Sequence, residues 1–168
     1  MNKELDEALC KDFPEIFRNR HANMTVTAMC WGFECDDGWE PLIRFLCEQL
    51  MMPVDRLRYR IDHYKKDQQK NTTQEYLNEL ENELKLEMEK IPVAAQVKEK
   101  LGGLRFYVHG ASEEQYDMID IIERMSYRVC EKCGTMKSVE LRNDGWYKTL
   151  CDTHATEWIE QRKIRRTT

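Results

Sequence analysis

Two pairs of soft donors stand close together in this 168-residue sequence: Cys130 with Cys133, and Cys151 with His154, each pair separated by two residues. Three thiolates and an imidazole on such short tethers can close around one ion, because tetrahedral zinc takes four sulfur or nitrogen ligands. Four protein ligands leave no position for water, so the zinc expected here is structural and builds fold. Gly134, directly after Cys133, suits a tight knuckle whose amides point at the sulfurs and favour the thiolates. Ordinary buried cysteines and a surface histidine are the competing explanation, and two correctly spaced pairs outweigh it.

The elements that must carry these ligands are legible around them. Residues 137–141 and 146–150 flank Asn143, Asp144 and Gly145, and Asp-Gly followed by β-prone residues predicts a hairpin. From Thr153 onward, Ala155, Trp158 and Ile159 recur at helical spacing, which puts Cys151 and His154 at the start of a helix. Knuckle, hairpin and helix together give a treble-clef-like finger over 129–168. Its basic end, Arg162, Lys163, Arg165 and Arg166, offers nucleic-acid contacts, although such a tail also serves simply to solubilise.

Upstream, the pattern is that of an α+β core over 1–53 and 92–128. A short helix breaks near Phe13 and Pro14, with Phe13, Ile16 and Phe17 as a small apolar face. The β-rich run 25–35 predicts a strand or hairpin bending at Gly32. Asp36 or Asp37 then caps a helix to about Met51, buried through Trp39, Leu42, Phe45, Leu46 and Leu50. Residues 93–97 and 104–108 read as a hairpin closed by Gly102 and Gly103. Ser112 and Gln115 form a capping box for a helix to about Tyr127 that buries Tyr116, Ile119, Ile122 and Met125. A small antiparallel sheet with flanking helices follows.

Residues 54–91 differ in character and predict an inserted helical hairpin, with Thr72 or Thr73 as a cap. Leu77, Leu80, Leu84, Met88 and Ile91 form a narrow apolar stripe. The stripe either closes the two arms on each other or serves as a partner-binding surface, Leu77, Leu80, Leu84 and Met88, including a homodimer through the hairpin.

Other chemistry is thinner. Asp36 and Asp37 with Gln96 and Lys98 loosely echo metal-dependent nuclease sites, but helix capping and turn charges explain them better. Cys30, Cys35 and Cys47, with His21 recruited from elsewhere, would make a second metal site; their irregular spacing favours free buried thiols, as for Cys10. His63 and His109 stand alone and read as surface residues. There is no phosphate-binding glycine loop, dinucleotide fingerprint or nucleophile elbow, so no catalytic residue is assigned.

Charged residues make up 34% of the chain, mean hydropathy is −0.75, and no apolar run approaches the roughly 20 residues that cross a bilayer. With a polar, acidic N-terminal stretch, the expected compartment is the cytoplasm, where thiols stay reduced. A net charge of −5 argues against a general nucleic-acid coat.

Three blocks carry a resemblance: residues 30–39 (CWGFECDDGW), 96–107 (QVKEKLGGLRFY) and 130–154, the last with Gly145-Trp146-Tyr147-Lys148-Thr149-Leu150-Cys151. Together they resemble a family of small zinc-finger-containing accessory proteins of tailed bacteriophages and prophages. Leu101 departs from the aromatic expected before the paired glycines, and the 54–91 hairpin is long for that family. The resemblance implies a phage accessory protein expressed in a bacterial cytoplasm. A zinc-stapled body with a projecting helix pair and no catalytic constellation suits binding and inhibiting or redirecting a host macromolecular complex, in its sharpest form an anti-phage defence system. A zinc-finger nucleic-acid binder is the alternative, and a metal-dependent nuclease the third reading.

Overall fold

The computed structural model describes residues 1–66 and 74–167. It is a mixed α and β arrangement, with helices α1 (Lys3–Asp12), α2 (Glu40–Lys66), α3 (Gln74–Glu89), α4 (Glu113–Ser126) and α5 (Asp152–Thr167). The strands are β1 (Phe33–Glu34), β2 (Val93–Lys100), β3 (Gly103–His109), β4 (Val139–Asn143) and β5 (Tyr147–Cys151). The side chains of 165–167 lie outside the description, as does the Thr72 or Thr73 cap.

Strands β2 and β3 form the predicted antiparallel hairpin, with a two-residue turn in which Leu101 and Gly102 both take positive φ, 54° and 79°. That is the turn whose twist matches paired strands; Gly102 adopts it freely, and the turn around Leu101 is fixed by the Gly102 amide donating to Glu99 and the Gly102 carbonyl accepting from Thr149. The sheet is not wholly antiparallel, because β1 joins β2 in parallel, with Phe33 opposite Val97. The strand expected over 25–35 shrinks to those two residues. Side chains take the backbone groups that a ladder would have used: Asn23 accepts from the Thr25 amide, and Thr27 accepts from the Met29 amide while its hydroxyl donates to the Ala95 carbonyl. Ala28–Trp31 then forms a single 3-10 turn.

Helix α2 runs unbroken through Pro53, past the end expected near Met51. In an isolated helix an interior proline costs about 3 kcal/mol. Here Leu50, Met51, Val54 and Leu57 are all buried on either side of it, and their burial offsets that cost. Phe45, expected in the core, is instead 50% exposed. The capping box of α4 is present, with Ile119 and Ile122 buried, but Tyr116 and Met125 point outward. One core gathers Leu9, Ile16, Phe17, Trp39, Val97 and Phe106 from helices and sheet.

The hairpin of α2 and α3 has a separate small core of Leu57, Ile61 and Leu80, with Tyr64, Tyr76 and Leu84 packed against it. Leu80 and Leu84 of the stripe therefore close the two arms on each other. Leu80 is 2% exposed and cannot meet a partner in this conformation; Leu77 and Leu84 are half-buried, and Met88 is exposed. Among the described residues no helix is long and apolar enough to cross a membrane.

Candidate metal centre

Helix α4 delivers the chain into the knuckle at 130–134. The Gly134 amide donates to the Cys130 carbonyl at 2.8 Å, and the Cys130 amide to Thr135 at 2.8 Å, with Gly134 at φ 74°. Strands β4 and β5 pair in register from Val139 opposite Cys151 to Asn143 opposite Tyr147, so Cys151 ends the hairpin. Asp152 opens α5 and His154 lies in its first turn.

These elements bring Cys130, Cys133, Cys151 and His154 together, with their donor atoms all within 4.8 Å of one another. His154 Nδ1 lies 3.5 Å from Cys130 Sγ and 3.2 Å from Cys151 Sγ. Ligands held at about 2.3 Å (sulfur) and 2.0 Å (nitrogen) from a tetrahedral centre stand roughly 3.5 Å apart, so the group fits one small ion. Nδ1 faces the sulfurs, and Nε2 looks toward Glu157 at 4.0 Å, a carboxylate able to orient the ring.

The thiols are tuned in opposite directions. The His154 amide, at the start of α5, bonds to Cys151 and draws its thiol down to about 7, so it is poised to ligate as thiolate. Burial raises the Cys130 thiol, although the amides of Cys151, Cys133 and Lys132 aim at its sulfur. A cation bound to that sulfur would compensate its burial.

The knuckle is locked to the body by contacts that spacing does not reveal. The Gly38 amide donates to the Glu131 carbonyl at 2.8 Å, and a Cβ at Gly38 would stand 2.2 Å from the Cys130 carbonyl oxygen. Beside it, Trp39 Nε1 donates to the Val129 carbonyl at 2.9 Å. The carboxylate of Glu131, 1% exposed, accepts from Lys148 Nζ at 2.9 and 2.7 Å and from the Asp36 amide at 3.3 Å. Burial raises the Glu131 carboxyl against the pull of Lys148. Glu99 lies 3.6 Å from the same ammonium. Finally, Thr149 Oγ1 donates to the Gly102 carbonyl at 2.5 Å, so the tip of the core hairpin sits on β5.

The remaining candidates do not assemble. Among the described residues the metal-capable group is the Cys130 set alone, and Cys30, Cys35, Cys47 and His21 form no second one. Cys47 and Cys35 are core residues whose thiols burial pushes up, Cys35 to about 12. Asp37 accepts from the amide and side chain of Asn2, Asp36 pairs with Lys132 at 3.0 Å, Gln96 donates to Glu34, and Lys98 lies over the Tyr107 ring. The four therefore serve four different partners. At the basic end, Arg162 stacks on Trp158 and pairs with Asp144 at 3.4 Å, and Lys163 also interacts within the chain. Arg165 and Arg166 have side chains outside the description.

Comparison with protein-family models, with curated proteins and with solved structures found no match to this chain.

Proposed function

We propose that this chain is a zinc-stapled, non-enzymatic binding protein, a phage accessory factor acting in the host cytoplasm by docking on a host protein complex and inhibiting or redirecting it. Zinc is the ion because three thiolates and one imidazole in a closed tetrahedron are its preferred structural set. The three blocks that resemble phage accessory proteins support the setting, and their residues are those that dock finger on core.

The observation that carries the reading is the exposed apolar face at that junction. Leu101 at the tip of the core hairpin is 63% exposed, and Trp146 and Tyr147 at the finger hairpin are 61% and 41% exposed. They line a groove of about 460 Å³ together with Lys98, Glu99 and Lys100. Large exposed aromatic residues are the usual anchors of protein interfaces. The two lysines favour one second reading, in which the aromatic rings stack on bases of a single-stranded nucleic acid.

Pull-down of tagged protein from host lysate, with and without nuclease treatment, tests both. On the first reading partners survive nuclease and vanish in Trp146→Ala while the metal content stays at one per chain. Partners lost with the nucleic acid support the second. Nuclease activity in the purified chain that disappears in Asp37→Ala would overturn both.

A further inference from the structure

Helix α2 has two apolar faces. One is consumed by the core through Ile43, Leu46, Leu50, Val54 and Leu57. The other carries Phe45, Met52 and Tyr59 at steps of seven residues, directly across the helix from the buried face. Phe45 is 50% exposed, Tyr59 is 72% exposed and stacks on His63, and Met52 is half-buried. Met52 and Tyr59 belong to an open groove of about 570 Å³ edged by Glu48, Asp55, Arg56 and Arg60, and Phe45 stands seven residues before Met52 on the same helix face. Nothing in the chain covers it among the described residues. Among the described residues Glu48 and Arg56 have no hydrogen-bond or ion-pair partner, unlike neighbouring Arg44, Arg58 and Arg60.

We propose that this face is a self-association surface, occupied by α2 of a second copy running antiparallel about a two-fold axis at Met52. The order of Glu48 and Arg56 selects that occupant; the same axis sets Arg44 against Arg60, and each of these is already paired with carboxylates of its own chain. An axis at Met52 sets residues equidistant from it against each other, so Glu48 of each copy faces Arg56 of the other, four residues either side. The same operation sets Phe45 against Tyr59, seven residues either side, and Met52 against itself. Two carboxylate–guanidinium pairs and two aromatic pairs thus flank a central methionine contact, a self-complementary isologous patch. A parallel arrangement would instead set Glu48 against Glu48 and Arg56 against Arg56, which opposes like charges. The surface is distinct from the stripe on α3, whose Leu80 and Leu84 are spent inside each hairpin, and from the junction groove proposed for the host partner.

Sedimentation equilibrium of the full metal-loaded chain, from micromolar to millimolar, tests this. The wild type shows a concentration-dependent dimer. Glu48→Arg or Arg56→Glu alone creates two like-charge contacts per dimer and weakens association by about tenfold or more. The double variant Glu48→Arg with Arg56→Glu restores the opposite pairing and recovers the wild-type constant. Tyr59→Ser, at an exposed position outside the core, also dissociates the dimer, with far-ultraviolet dichroism and metal content unchanged in every variant. A chain that is monomeric throughout the range overturns the proposal, and so does a dimer indifferent to the single reversals or not rescued by the double one. These readouts need no host partner, so their failure leaves the junction reading standing.

Discussion

Substituting Gly38 by alanine puts the least possible new matter where the body grips the metal knuckle. The added methyl would stand 2.2 Å from the Cys130 carbonyl oxygen, 2.5 Å from the Gly134 nitrogen and 2.6 Å from the Glu131 carbonyl oxygen. All three are backbone atoms, so no side chain can swing aside, and the knuckle must retreat by roughly 1 Å to reach ordinary contact. Overpacking of this kind costs about 1–3 kcal/mol. The same retreat strains the 2.8 Å bond from the Gly38 amide to Glu131, worth about 0.5–1.5 kcal/mol. A combined loss of about 2–4 kcal/mol lowers Tm by roughly 4–16 °C in a chain of this size. Thermal unfolding in excess metal measures that shift, and competition with a chromophoric chelator measures the accompanying loss of metal affinity, since Cys130 carries both the clash and a ligand. Combining Gly38→Ala with Cys130→Ser should cost less than the sum of the two, because a loosened knuckle leaves room for the methyl. If Gly38→Ala melts within 2 °C of wild type and holds metal equally well, the docking argument is wrong.

Other perturbations reach different parts of the structure. Cys151→Ser, or a chelator, should raise amide exchange throughout 130–155 well before it does so in β2 and β3, because the finger has only a small apolar cluster of its own around Cys130, Leu150, Cys151 and Ala155; uniform exchange across both regions would show the core equally dependent on metal. Leu80→Glu puts a charge into the isolated hairpin core, and should melt α3 and the outer half of α2 while metal content and the β2–β3 hairpin persist, as hydrogen exchange would report. Glu15 is pulled below the usual carboxylate range despite its partial burial, because Arg58 bonds to it at 2.5 Å. A depressed carboxyl stabilises the fold above its ordinary range and loses that contribution on acidification, so Arg58→Met should flatten the acid limb of a stability–pH curve and lower stability modestly at neutral pH. An unchanged acid limb in that variant would remove Glu15 from the account.

The parts legible in the sequence are those encoded over short distances. The ligand spacing, the Asp-Gly hairpin and the Ser112–Gln115 box each involve residues within a few positions of one another, and all three are present. The 25–35 run misled because β-propensity registers side-chain fit, whereas Asn23 and Thr27 diverted the backbone bonds locally. Pro53 misled because its local cost is exceeded by burial against elements far away in sequence. The grip on the knuckle escaped notice for the same reason: Asp36 and Glu131 are 95 positions apart, and Gly102 and Thr149 are 47 apart. Phe45 looked like core because helical spacing marks apolar residues without saying which of two faces will be covered.

The uninterrupted run of α2 through Pro53 gives the molecule a mechanical property. One rod of 27 residues, roughly 40 Å long at 1.5 Å per residue, starts beside Trp39 at the finger and ends in the outer arm. Its angular phase is therefore shared by both ends. Inserting a single residue near Met52 would turn everything beyond it by about 100°, swinging Leu57 and Ile61 away from Leu80 while leaving the inner half seated. Length changes in this rod are tolerable only in steps that return to the same phase, such as seven residues, which would lengthen the arm without re-aiming it.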